Sequence, residues 1–196
     1  GREANVARLN LNKVGIKVNQ KKAIKVDRNL KTNISNVYAI GDVTDRINLT
    51  PVAIVEGHFL SNKLFGNISN KKISLDNIGT AVFSSPPIST IGPTEKEALK
   101  KFKDIEVYES KFTSLKYSIV NKKIPTYIKL LVNRRNKRVI AAHMFGDEGP
   151  EIIQIIGAAM QAKVTVNNFN DTMAIHPTVA EEFVTFKGPT RKISRA

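Results

Sequence analysis

The strongest constraint on the fold of this chain is a hairpin pattern followed directly by an apolar helix pattern. Residues 127–132 and 139–145 form two apolar or alternating runs, and the polar segment 133–137 between them has the composition of a turn. Residues 151–162 are apolar almost all round a helix axis, which predicts a helix buried on more than one side. Paired strands followed by a packed helix favour an α+β fold.

Further short elements are predicted on either side of this hairpin. Two Thr-x-x-Glu patterns predict capping boxes, because a threonine hydroxyl and the glutamate three residues later can satisfy each other's backbone amides. The predicted elements are strands at 80–84 and 105–108, a short helix begun by Thr94 and Glu97, and a last short helix over 178–186 begun by Thr178 and Glu181.

The first 66 residues predict a smaller strand-and-helix unit. Thr50 is the expected N-cap of its helix, Pro51 suits the first helical position, and Gly66 is the expected stop. The polar segment 67–77 predicts a junction, which divides the chain into domains at 1–73 and 74–196. The remaining expectations are strands at 14–18, 23–27 and 37–40, and an apolar helix face of Val52, Val55, Phe59, Leu60 and Leu64.

The charge of the chain is strongly positive, with 31 Lys and Arg against 17 Asp and Glu, a net charge of +14. Such an excess admits a basic module that binds nucleic acid. However, the basic residues occur in pairs at turns and on predicted helix faces, and aromatic residues do not alternate with them as in a base-stacking surface. A solvated basic surface is therefore the favoured interpretation.

Composition excludes several classes of protein. The 196 residues include no cysteine, so the chain itself has no disulfide, thiolate metal site or cysteine nucleophile. Three dispersed histidines make a metal site unexpected. No apolar run is long enough to span a bilayer and no signal-peptide pattern opens the sequence, so we expect a cytoplasmic protein. The first residue is Gly1, and we expect a piece of a longer protein.

One candidate site lies where a predicted strand ends at Gly41-Asp42 and a helix begins at Thr50-Pro51. Glycine permits close approach of another group, and the Asp42 carboxylate can accept hydrogen bonds from polyol hydroxyls. The helix start directs free amides and a positive dipole end toward the same place, which favours an anion or a ring that becomes anionic on reduction. The alternative is a plain strand-to-loop turn followed by a cap.

A second candidate site is His176 with Glu181. A carboxylate that accepts a hydrogen bond from an imidazole orients the ring for acid/base chemistry near neutral pH. The alternative is that Glu181 only completes the capping box of Thr178, and that His176 is an ordinary partly buried residue. The other two histidines, His58 on a helix and His143 on a strand, are interpreted as structural.

Taken in order, these residues resemble the C-terminal part of the flavin-dependent pyridine nucleotide-disulfide oxidoreductases, and most closely the glutathione reductases among them. The resemblance covers nearly the whole chain, and its specificity lies in the ordered set of motifs. The motifs are Gly1-Arg2 with Asn5, Val37 to Val43, Leu49 to Ala53, Val82 to Ser84, Pro86 to Ile88, Gly92, Thr94-Glu95, Gly146, Pro150 to Gln154, Ala174 to Thr178, Glu181 to Thr185, and Pro189 to Lys192.

The resemblance implies a remnant of a flavin-binding α/β domain followed by an α+β dimerisation domain with an antiparallel sheet and flanking helices. It implies FAD and NADPH as cofactors of the intact enzyme, a homodimer, and glutathione disulfide as substrate. The implied cofactor-binding residues are Gly41, Asp42, Leu49, Thr50 and Pro51; the implied catalytic residues are His176 and Glu181, acting across the dimer interface; and the implied substrate-binding residues are Leu115 and Lys116.

The glycine-rich nucleotide loops and the redox-active cysteine pair of the family are missing from the chain. We therefore expect the chain alone to have no disulfide reductase activity and to require the N-terminal half of an enzyme. His58 stands where many relatives have arginine, so the resemblance does not decide whether residue 58 contacts the substrate. Two alternatives stay open as well: another disulfide reductase, of the trypanothione or mercuric type, or a basic module that binds nucleic acid.

Overall fold

A computed structural model of the chain describes residues 2–66, 73–118, 120 and 123–195. The described chain forms two compact units, Gly1–Ser74 and Leu75–Ala196, and each has a hydrophobic core of its own. The segment 67–77 expected as a junction lies partly outside the described residues, since 67–72 are not among them.

The first unit contains one long helix, α1, Thr50–Phe65, preceded by a short 3-10 turn, Gly41–Thr44. The helix begins one residue earlier than expected, because Leu49 is its extended N-cap and Thr50 is already helical. Its end at Gly66 is confirmed: the Gly66 amide donates to the Asn62 carbonyl at 3.0 Å. A Cβ at position 66 would lie 2.8 Å from that carbonyl oxygen, so glycine is required there by space.

The three strands expected in this unit are wrong. Residues 14–18 and 23–27 meet only at a single bridge, Val18 with Ile24, and the segment 37–40 meets its neighbour only at Lys31 with Tyr38. The Asn19 side chain accepts from the amides of Lys21 and Ala23 and forms a local turn. Short apolar runs become strands only where a partner continues the ladder, and among the described residues of this unit the pairing stops after one residue pair.

The expected apolar face of α1 is largely uncovered in the first unit. Val52 is buried, whereas Val55 and Leu64 are exposed and the two side chains between them are half-buried. The fully buried neighbour of Val52, one turn along, is the charged residue Glu56. Helical spacing thus identifies residues that share a side of the helix, but it does not identify what covers them.

The second unit is built on one six-stranded antiparallel sheet in the order β1-β2-β5-β4-β3-β6. The expected hairpin is confirmed as β4 and β5, and the expected α+β class is confirmed with it. The strands are β1 Thr80–Val82, β2 Ile88–Ile91, β3 Asp104–Thr113, β4 Pro125–Asn133, β5 Val139–Phe145 and β6 Arg191–Ser194.

Helices cover both faces of this sheet. The helix α2, Glu95–Lys101, begins with the expected capping box and packs Ala98 against Leu131 and other buried strand residues. The helix α3, Gly149–Gln161, packs against the other face, where Ile153 contacts the cluster that contains Leu130. Consecutive residues of β4 point to opposite faces, so Leu130 and Leu131 serve different cores.

The helix α3 is buried on one side only, which corrects the expectation from its composition. Ile153, Ile156 and Met160 are buried, whereas Ile155 is exposed. Among the described residues of this unit, two strands and one α-helix have no counterpart in the sequence reasoning. They are the strand β2, the helix α4, Val166–Asn170, which has its own capping box, and the edge strand β6 in the basic tail. The last expected helix is a short 3-10 turn, Ala180–Phe183.

The described helices include none with the length and apolar content that a membrane span requires.

Candidate functional site

Local backbone structure brings His176 and Glu181 together in the second unit. The peptide bond between His176 and Pro177 is cis. The Glu181 amide donates to the Thr178 hydroxyl at 3.2 Å, which is one half of the capping box. Both carboxylate oxygens of Glu181 lie beside the His176 ring, with Oε2 and Oε1 at 3.0 Å and 3.2 Å from Nδ1. The acid therefore faces the imidazole, while its backbone is held by Thr178.

The two side chains of this pair differ in how much of their surface is exposed to solvent. The His176 side chain is 78% exposed, whereas the Glu181 side chain is only 18% exposed. A carboxylate beside Nδ1 favours the ring form that carries its proton on that nitrogen, which leaves Nε2 available to exchange a proton with a bound molecule. This arrangement has the form of an oriented acid/base group rather than of a buried structural histidine.

A cleft of about 670 Å³ opens beside this pair. It brings the expected catalytic residues to the same place as the two expected substrate-binding residues, which lie about sixty positions away in the sequence. The lining residues are Phe112, Thr113, Ser114, Leu115, Lys116, Glu148, His176, Pro177, Thr178, Val179, Glu181 and Glu182. A concave surface that joins an exposed imidazole to an apolar side chain is suited to a small organic substrate.

Lys116 is engaged by two acids of the turn between β5 and α3. Its ammonium lies 2.9 Å from Asp147 and 2.6 Å from Glu148. The hydrogen bonds to Glu148 and then Asp147 raise the pKa of Lys116. The neighbouring Tyr117 hydroxyl donates to Asp147, and this bond raises the pKa of Tyr117.

The cofactor-binding residues expected from the sequence lie in the first unit, around the start of α1. Gly41 has a left-handed backbone (φ +67°), and a Cβ there would lie 3.0 Å from the Cβ of Ala53. Glycine at this position is thus required by close packing of the turn on α1 and by the positive φ. The Asp42 carboxylate next to it is exposed.

Glu56 is the residue of this region that sequence reasoning missed. Its side chain is 1% exposed, and its carboxylate accepts a 2.7 Å hydrogen bond from the Gly41 amide and another from the Arg46 guanidinium. The available signal is its position four residues after Val52, on the buried side of α1. The buried acid holds the Gly41 turn against the helix.

The start of α1 fits an anionic or hydrogen-bond-accepting part of a cofactor. Thr50 and Pro51 are exposed and Leu49 is half-buried, and the first turn receives no side-chain cap. Uncapped amides at a helix start donate readily to phosphate or carbonyl oxygens, and the helix dipole adds to that preference. The exposed Asp42 nearby supplies an acceptor for hydroxyl groups.

The other two histidines differ from His176. His58 is exposed on α1. His143 is half-buried on β5, and burial, with Lys129 nearby, lowers its pKa. Within the described part of the chain, no group of three or more metal-binding side chains comes together.

The fold and the site define an α+β unit with an imidazole and a carboxylate paired beside a cleft, and comparison with known proteins identifies the family of the chain. The dimerisation-domain model of the pyridine nucleotide-disulphide oxidoreductases matches residues 78–186, and the pyridine nucleotide-disulphide oxidoreductase model matches residues 1–57. The chain belongs to the pyridine nucleotide-disulphide oxidoreductase family, and the resemblance noted in its sequence is confirmed.

Alignments with individual relatives cover all or nearly all of the chain. Trypanothione reductase of Trypanosoma congolense is 41% identical over 97% of the chain and 39% of its own length. The chloroplastic/mitochondrial glutathione reductase of Pisum sativum is 40% identical over 100% of the chain and 35% of its own length. A solved structure, the HOCl-induced flavoprotein disulfide reductase RclA from Escherichia coli, superposes with a TM-score of 0.80 at 26% identity, over 95% of the chain and 43% of RclA. The chain thus spans about two fifths of the length of the proteins it matches.

Proposed function

We propose that this chain is the C-terminal part of an FAD- and NADPH-dependent reductase of glutathione disulfide, in which it supplies an acid/base pair, part of the flavin site and the interface of a homodimer. The observation that carries the proposal is the contact of His176 Nδ1 with Glu181 at 3.0 Å on the wall of a cleft. Residues 1–73 would belong to the flavin-binding region and residues 74–196 to the dimerisation domain.

In this mechanism a cysteine thiolate of the N-terminal half attacks the substrate disulfide and forms a mixed disulfide with one glutathione. His176 gives the proton on its Nε2 to the other glutathione thiolate, which leaves. Glu181 accepts the hydrogen bond from Nδ1 and so fixes the orientation of the ring. Leu115 supplies apolar contact in the same cleft. FAD held beside Asp42 and the start of α1 would supply the electrons, received from NADPH, that reduce the disulfide.

In the first unit, Asp42 would bind the hydroxyl-bearing and phosphate part of FAD. It lies next to the tightly packed Gly41. The start of α1, with Leu49 at the cap, would face the ring edge that gains negative charge on reduction. Its free amide hydrogens are those of Thr50 and Val52, because Pro51 between them has none. Support for this assignment comes from the exposed Asp42 and the helix start without a side-chain cap.

The acid/base role is tested in the enzyme that contains this chain. H176Q is expected to lower kcat for reduction of glutathione disulfide by about 10² to 10⁴, the usual contribution of a positioned acid, and E181Q is expected to lower it less. E151Q is the matched control, because it removes an exposed carboxylate of α3 that does not line the cleft. A loss of activity in E151Q equal to that in H176Q would contradict the assignment.

A second candidate substrate is a trypanothione-type disulfide. It is favoured by the 41% identity to trypanothione reductase and by the three carboxylates that this chain places along the cleft, those of Glu148, Glu181 and Glu182. A comparison of kcat/KM for the two disulfides with one enzyme preparation decides between them. The dimer is tested separately by light scattering, and a monomer at high protein concentration would oppose it.

A further inference from the structure

The segment that carries Leu115 has little backbone support of its own. It is a single 3-10 turn, Leu115–Tyr117, between β3 and β4. Two backbone bonds support it, from the Tyr117 amide to the Ser114 carbonyl and from the Ser118 amide to the Leu115 carbonyl, each 2.9 Å. The Ser118 hydroxyl also donates to the Leu115 carbonyl, at 2.7 Å. Leu115 is nonetheless 61% exposed and stands on the wall of the cleft. An exposed apolar side chain on a one-turn segment needs another contact to hold its position.

That contact comes from the next two residues. Lys116 binds Asp147 and Glu148, and Tyr117 donates to Asp147, so two consecutive residues of the turn are fastened to two consecutive acids about thirty positions away. The anchoring turn is itself tied to the sheet unit, because the Gly146 amide donates to the Pro87 carbonyl at 3.1 Å. The four side chains join the cleft wall to the start of α3.

The same contacts make Lys116 poorly suited to bind an anionic substrate directly. Its ammonium already has two carboxylate partners within 3 Å. The cleft beside it is lined by Glu148, Glu181 and Glu182, so a substrate carboxylate near Lys116 would face more negative than positive charge.

We propose that Lys116 is a positioning residue that holds Leu115 at the cleft by clamping its turn to Asp147 and Glu148, rather than a residue that binds substrate. The inference rests on the proposed function in so far as Leu115 contacts the disulfide substrate. The clamp itself depends only on the contacts within the second unit.

A double-mutant cycle in the enzyme that contains this chain tests the assignment. K116M keeps most of the side-chain length and removes the charge; it is expected to raise KM for the disulfide about five-fold with little change in kcat, the effect of one ion pair of ordinary strength. K116R is expected to restore KM, since arginine can pair with the same carboxylates. In an L115A background K116M is expected to change KM less than about two-fold, because the residue it positions is gone. Equal effects of K116M in both backgrounds would overturn the proposal.

A second measurement separates failure of the clamp from failure of the proposed function. Hydrogen exchange of the Tyr117 and Ser118 amides in the 196-residue chain reports the turn directly. K116M is expected to speed it about five-fold, and K111M, at an exposed lysine of β3, is expected to leave it unchanged. Unchanged exchange in K116M would overturn the clamp whether or not the enzyme reduces glutathione disulfide. Faster exchange in an enzyme without that activity would retain the clamp and reject the proposed function.

Discussion

Protonation of Glu95 is expected to destabilise the second unit in acid. Glu95 opens α2 and binds both guanidinium nitrogens of Arg191 on β6, at 2.6 Å and 2.8 Å, and the ammonium of Lys129 on β4 at 2.9 Å. The Arg191 hydrogen bonds, together with Lys129 and against a smaller opposing effect of burial, lower the pKa of Glu95 from 4.5 to about 2. The carboxylate is 24% exposed, so solvent screens these contacts only in part.

The direction and size of the effect follow from the linkage between protonation and folding. The folded-state pKa lies below the unfolded-state value, so the stabilisation is complete above about pH 5 and is lost as the pH falls toward about 2. A shift of this size corresponds to about 3 kcal/mol of unfolding free energy, an upper value for a group that keeps some solvent contact. The substitution E95Q removes this titration and leaves the shape of the side chain unchanged.

Urea unfolding, followed by tyrosine fluorescence, measures the effect. Three of the four tyrosines lie in the second unit and the chain has no tryptophan, so the signal reports mainly that unit. E95Q is expected to be about 2–3 kcal/mol less stable than the unchanged chain at about pH 7, with a difference that shrinks toward zero near pH 2. E151Q, at an exposed acid of α3, is the control and is expected to show no such trend. A difference between E95Q and the unchanged chain that stays constant from about pH 7 to about pH 3 would refute the reasoning.

Three further predictions concern a glycine, a buried acid and the chain as a whole. G92A is expected to cost about 3 kcal/mol or more in urea unfolding, because φ is +81° and a Cβ would lie 2.3 Å from the Ile140 carbonyl oxygen; G79A, with nothing within 4 Å, is the control. E56A is expected to cost about 3–5 kcal/mol, since it leaves the half-buried Arg46 guanidinium without its carboxylate; limited proteolysis should then cut within residues 2–66 far faster than in S61A, an exposed change on the same helix. The chain alone is expected to reduce no glutathione disulfide when given NADPH and FAD, because it has neither cysteine nor the glycine-rich nucleotide loops, and turnover above that of buffer would contradict this.

The elements that sequence reasoning predicts well are those whose signal is local. The hairpin of β4 and β5 is predictable because two strand-like runs flank a polar turn, and each strand is the other's partner. The start of α2 is predictable because the capping box involves only Thr94 and Glu97, three residues apart. In both cases the signal that predicts the element lies within the local pattern.

The elements predicted poorly depend on partners that a local pattern does not contain. The segment 37–40 is apolar and strand-like, but among the described residues of its unit it forms a single bridge, between Tyr38 and Lys31. The strand β6 is the opposite case: its sequence, Arg191-Lys192-Ile193-Ser194, has a single apolar residue, yet it pairs with β3 along four positions. Arg191 contributes through its bonds to Glu95 and Glu109, which come from far earlier in the chain.

The contact between His176 and Glu181 shows why two interpretations of one motif need not exclude each other. The Thr178-x-x-Glu181 pattern is typical of a capping box, and the same glutamate is also a candidate partner of His176. The backbone and the side chain of Glu181 have different partners. Its amide donates to the Thr178 hydroxyl, and its carboxylate lies against His176 Nδ1. Because the backbone contact restricts where the carboxylate can lie, the half-formed cap contributes to the orientation of the imidazole. Sequence spacing identifies Thr178, Glu181 and His176. Only the structure shows that the backbone of Glu181 contacts Thr178 while its carboxylate contacts His176.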